Sequence, residues 1–162
     1  MSLFLRSLLE FLTRDLSGRT WEVRKSHPYF GEMTYYGSRD PEACYWEAEL
    51  DVPGQPKPIG VAMRGTEEGP EPSEEAFCKQ ALANIDALFE RCQPAFEPVF
   101  AECTKLPFPT SWREAFVLDG IDIPAGGEPN GEWCIYYFVE PAGHYFTAHI
   151  ESGKVTSVLV DG

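Results

Sequence analysis

The chain has 162 residues, 43% of them hydrophobic and 14% aromatic, and carries a formal net charge of −13. That hydrophobicity excludes an intrinsically disordered chain, and the length suffices for one domain that buries a core without disulfides or a structural metal. The acidic balance disfavours nucleic acid and anionic membrane surfaces, whose phosphates carry the same sign, and leaves a basic protein as the partner that charge would attract.

Taken in chain order, Ser2 to Leu16 places Leu5, Leu8, Leu9, Leu12 and Leu16 at helical spacing, with Gly18 as a C-terminal cap. Arg6, Glu10, Arg14 and Asp15 interrupt the apolar residues, so the segment reads as an amphipathic helix over residues 1–18 and not as a signal peptide or membrane anchor. Residues 19–64 read as a β-meander, with strands at Trp21 to Lys25, Phe30 to Tyr36, Cys44 to Val52 and Ile59 to Arg64 joined by Gly- and Pro-containing turns.

The third of these strands alternates two faces. Cys44, Trp46, Ala48, Leu50 and Val52 point one way, toward a core. Tyr45, Glu47, Glu49 and Asp51 point the other, giving three aligned carboxylates that suit a solvated surface or a docking surface for a basic partner. Spacing alone specifies neither a metal site nor an acid–base pair there.

Residues 73–103 are helical. Ser73 is placed to cap the first helix, and Phe77, Ala81, Ile85, Leu88, Phe89 and Cys92 line one face of it. Pro94 then begins a second, shorter helix carrying Phe96, Val99, Phe100 and Cys103. Strands return over residues 116–160, at Phe116 to Ile123, Trp133 to Val139, Tyr145 to Ile150 and Val155 to Val160, with the last three forming hairpins. Trp133 to Val139 is apolar or aromatic on both faces, as expected of a central strand. The order of elements predicts a single α+β domain, its largely antiparallel sheet packed against an N-terminal helix and a long central helix.

Five cysteines, Cys44, Cys78, Cys92, Cys103 and Cys134, form no Cys-x-x-Cys pair. They read as reduced, small buried hydrophobes in a cytoplasmic setting. His144 and His149 fall on opposite faces of their strand, so a shared metal is not expected, and His149 reads as solvated or at an edge. Phosphate-loop, dinucleotide, nucleophile-elbow and zinc-helix motifs are all missing, and Gly126-Gly127 reads as a turn. No cofactor is implied. The dense aromatics of the C-terminal strands leave a second possibility, a small-ligand pocket or unrecognised active site built from Tyr136, Tyr137, Tyr145 and His149.

The strand Tyr29-Phe30-Gly31-Glu32-Met33-Thr34-Tyr35, followed by the Trp46 strand, the Ile59 strand and the Ser73 helix, resembles small uncharacterised bacterial domains that open on a Phe-Gly strand. The resemblance covers roughly Trp21 to Cys103. Some such domains are similar to immunity proteins, which neutralise toxins by binding them. It implies a binding function and carries over no catalytic residue. The leading expectation is therefore a non-catalytic protein-binding or inhibitor domain, docking on a basic partner through Tyr45, Glu47, Glu49 and Asp51.

Overall fold

The computed structural model describes residues 20–161; the N-terminal helix expected over residues 1–18 lies outside them. Eight strands form one sheet whose spatial order is the order of the chain: β1 (Trp21–His27), β2 (Gly31–Gly37), β3 (Tyr45–Leu50), β4 (Ile59–Arg64), β5 (Phe116–Ile123), β6 (Trp133–Val139), β7 (His144–Glu151) and β8 (Lys154–Asp161). Every neighbouring pair is antiparallel except β4 and β5, which run parallel. A parallel pair needs a crossover. Two helices supply it, α1 (Pro72–Ala83) and α2 (Ile85–Thr104).

Both helices cover the same side of the sheet. Cys78 of α1 and Ile85, Leu88, Phe89, Cys92, Phe96 and Phe100 of α2 join one cluster with Trp46, Val61, Ile121, Ile135, Tyr137 and Phe146 of the strands. Phe96 anchors its centre. Its ring lies within 6 Å of those of Phe89, Phe116, Tyr137 and Phe146, the separations at which aromatic pairs add to plain area burial. Strand alternation therefore holds on the apolar side: Trp46 is fully buried and its indole Nε1 donates to the Thr66 carbonyl at 2.8 Å.

The helical region departs from its expected layout. The break comes at Asn84, not before Pro94, and α2 runs through both Pro94 and Pro98. Asn84 leaves helical geometry (φ −138°, ψ 71°), and its side chain accepts a hydrogen bond from the Ala87 amide at 3.1 Å, capping α2. Both prolines sit on the exposed face, where the carbonyls they leave without a donor can be hydrated. At the start of α1, Pro72 occupies the first turn and Ser73 is not the cap. The buried Glu74 instead accepts from the Glu71 amide at 2.8 Å and, across the fold, from the Gly126 amide at 3.3 Å. Gly127, at φ 67°, passes so near α1 that a Cβ there would lie 2.3 Å from the Ser73 carbonyl oxygen.

Candidate functional site

The side of the sheet opposite the helices carries a row of residues drawn from all eight strands. Cross-strand register aligns Arg24, Thr34, Glu47, Ala62, Asp122, Cys134, His149 and Ser157. Beside the centre of this row, Gly60 pairs Gly120 and Gly120 pairs Tyr136. The small residues between Glu47 and Asp122, Gly60, Ala62 and Gly120, are themselves buried. The two acids stand two strand spacings apart, about 9.5 Å between Cα atoms.

Glu47 is only 6% exposed, which corrects its expected place on a solvated face. Burial raises its pKa from 4.5 to about 7; the Tyr36 hydroxyl hydrogen-bonds it and draws the value back, while the charges of Asp122, Glu22 and Glu49 push it up. Asp122 is likewise raised to about 7 by burial, against the lowering effects of a Tyr136 hydrogen bond and the Arg64 charge. The Tyr136 hydroxyl donates to Asp122 Oδ2 at 2.5 Å. Glu47 Oε1, Asp122 Oδ1 and the Tyr45 hydroxyl are buried without a hydrogen-bond partner. Such atoms are costly to leave unsatisfied, carboxylate oxygens above all.

Aromatic rings flank the acids on both sides. Tyr36 and Tyr45 stack at 5.1 Å, and Phe138 and Tyr145 pack at 5.1 Å. Asp119, 1% exposed, sits at the irregularity in β5 between Leu118 and Gly120 and is ion-paired with Lys57.

Next to Asp122, Cys134 Sγ lies 3.2 Å from His149 Nδ1. This corrects two expectations, since Cys134 is not a buried hydrophobe and His149 is half-buried with a thiol partner, not solvated. The pair is not poised as a nucleophile. Burial and the Asp122 charge push the Cys134 thiol up to about 12, whereas a reactive cysteine needs its thiolate favoured.

The structure redistributes the residues singled out in the sequence. Tyr45 and Glu47, expected to dock a partner, share the side opposite α1 and α2 with Tyr136, Tyr145 and His149, expected to line a pocket. Tyr137 does not belong with them. It faces the helices, fully buried against Phe89, Phe96 and Phe116. The three carboxylates expected in line are also divided: Asp51 lies beyond the end of β3, and it and the exposed Glu49 border a separate groove. That groove, ≈ 510 Å³, opens between the end of β3 and α1, with Phe30, Leu50, Val52, Lys79 and Leu82 among its walls.

Sequence reasoning missed Asp122 and the Cys134–His149 contact, because only the pairing of β4 with β5 brings the two halves of the row together. No group of three or more His, Cys, Asp or Glu side chains placed to hold a metal occurs among the described residues. No helix among them is long and apolar enough to cross a membrane. Comparison with protein-family models, curated proteins and solved structures found no match.

Proposed function

We propose that the protein is a non-catalytic binding domain, of the inhibitor or immunity kind, that docks a basic protein partner on the side of its sheet opposite α1 and α2. The observation that carries this reading is the pair of buried carboxylate oxygens, Glu47 Oε1 and Asp122 Oδ1, that accept no hydrogen bond. A cationic group supplied by a partner would satisfy both and offset the cost of burying them. The net charge of −13 favours encounter with a basic surface at long range. The high thiol pKa of Cys134 supports binding over covalent catalysis at the Cys134–His149 contact.

The test is capture from a lysate of the native host by wild type, by Glu47→Lys/Asp122→Lys, and by Glu140→Lys as a surface control. A single basic protein retained by wild type and the control, lost by the double variant and weakened at high ionic strength, is the expected result. Equal retention by all three proteins, or retention of nothing by wild type, would defeat the reading.

A further inference from the structure

We infer that the outer edge of β8 pairs antiparallel with β8 of a second copy of this chain, about a two-fold axis at Leu159. The sheet is open at both ends, since β1 and β8 each have one neighbour. An unpaired edge offers backbone donors and acceptors to any strand that fits, and charged side chains are a common block. β1 carries that block: Glu22, Arg24 and Lys25 are all exposed. β8 has no charge between Lys154 and Asp161, where it reads Val155-Thr156-Ser157-Val158-Leu159-Val160. Within that run Leu159 is 54% exposed, more than Trp21 or Leu106.

The β7–β8 ladder limits where a second strand fits. His149 pairs Ser157 and Ile150 pairs Val155, so Thr156 is an extra residue that bends β8. Regular edge is left at residues 157–161. In an antiparallel pair, opposite residues both turn their amides toward the partner strand or both away. A strand therefore meets its own copy only in registers where the two residue numbers have an even sum. The longest such register within residues 157–161 sets Leu159 opposite Leu159, Val158 opposite Val160, and Ser157 opposite Asp161. No like charges face each other in it. Val158 and Val160 pair the fully buried Ala148 and Phe146 across β7, so the same register carries the apolar, helix-covered side from one copy into the next. Leu159, beside Thr147, covers its counterpart on the other side. This match of the strand to itself on both sides selects a second copy as the occupant.

The contact is short, well below the ~1,200 Å² of a standard interface, so the pairing is weak. Each chain carries a net charge of −13, and the two copies repel at long range. Salt screens that repulsion and strengthens the pair. Docking of a basic partner responds to salt with the opposite sign, so this inference goes beyond the binding function proposed above and either can fail alone.

The experiment is sedimentation equilibrium of the full chain from micromolar to millimolar concentration, at low and at high salt. A monomer–dimer equilibrium that tightens with salt is expected. Leu159→Lys sets like charges opposite one another and should weaken it by about tenfold or more. Leu106→Lys, at another exposed leucine, should leave it unchanged. Directly opposite residues have Cα atoms about 4.5–5.5 Å apart, within reach of a disulfide. In a Cys103→Ser background, which removes the exposed thiol, mild oxidation should link Leu159→Cys into a covalent dimer and leave Ser157→Cys monomeric. A chain that is monomeric throughout, a dimer that weakens with salt, or equal effects of the two lysine variants would overturn the pairing. Faster cross-linking at 157 than at 159 would overturn the two-fold at Leu159. If the chain stays monomeric while Leu159→Lys loses the protein captured from lysate, the edge serves that partner, and the second copy is overturned as its occupant.

Discussion

The Tyr136 hydroxyl reaches across from β6 to donate to Asp122 Oδ2 at 2.5 Å, leaving Oδ1 of the same carboxylate buried and unpartnered. Half of this acid is held by the fold and half is left for something else. The hydrogen bond favours the charged form and so lowers the Asp122 pKa against the larger effect of burial. Removing it in Tyr136→Phe should raise the Asp122 titration midpoint above about 7, as followed by carboxyl carbon shifts. A midpoint that stays or falls would show that Tyr136 does not support the charged acid. The expected loss of stability is about 1.5–3 kcal/mol, typical of a hydrogen bond to a charged group.

The same acids set an unusual dependence of stability on pH. Unfolding returns Glu47 and Asp122 from about 7 toward their ordinary 4.5 and 3.8. Across that window the folded protein keeps protons that the unfolded chain has released, so the stability these two acids contribute is full below about pH 4 and is lost as pH rises through 7. Glu47 alone accounts for on the order of 3 kcal/mol. Urea midpoints at pH 5 and pH 8 should therefore fall with pH in wild type, and fall less in Glu47→Gln/Asp122→Asn. Parallel behaviour of the two proteins would mean that the acids are not raised.

What was legible in the sequence was local. Alternation in Tyr45–Leu50 and Trp133–Val139 reports the apolar side of each strand, because one core covers that side. Glu47 shows where such reading stops. Alternation places it on the side of β3 away from Trp46, but its 6% exposure is a property of the whole fold that sequence spacing cannot supply. Cys134 and His149 are 15 residues apart and meet only through the β6–β7 register. The helix boundary failed for a different reason. Pro94 is a strong local breaker, yet its exposed position lets α2 continue, while the cap actually used is Asn84, an equally ordinary capping residue inside an apparent apolar stripe.

Asn84 should accordingly carry a measurable share of stability. Asn84→Ala removes the acceptor for the Ala87 amide and is expected to cost about 1 kcal/mol by loss of the cap. Thermal unfolding measures it. A neutral effect would indicate that the Asn84 cap does not stabilise the start of α2.

Thiol reactivity separates the cysteines by environment. Cys103 is exposed. Cys78, Cys92 and Cys134 are held up at about 11, 12 and 12, chiefly by burial. Brief iodoacetamide treatment of native protein at pH 8 should label Cys103 first, as read by peptide mass spectrometry. Labelling of Cys134 as fast as Cys103 would revive a nucleophilic role for the Cys134–His149 pair.

Two glycines with the same backbone angle distinguish strain from steric conflict. Gly127 and Gly143 both have φ of 67°, but a Cβ on Gly143 meets nothing within 4 Å, whereas one on Gly127 comes 2.3 Å from the Ser73 carbonyl oxygen. Left-handed geometry costs a non-glycine residue about 1–2 kcal/mol, and Gly143→Ala should lose about that much. Gly127→Ala must also push the loop off the start of α1, where the Gly126 amide bonds the buried Glu74. An unsatisfied buried carboxylate oxygen adds about 1–3 kcal/mol, so this variant should melt well below Gly143→Ala. Because that loop follows directly on β5, whose Asp122 faces Glu47, Gly127→Ala should also broaden the amide resonance of Asp122. Equal melting temperatures for the two variants would mean that the loop yields without cost and that the α1 contact does not hold the end of β5.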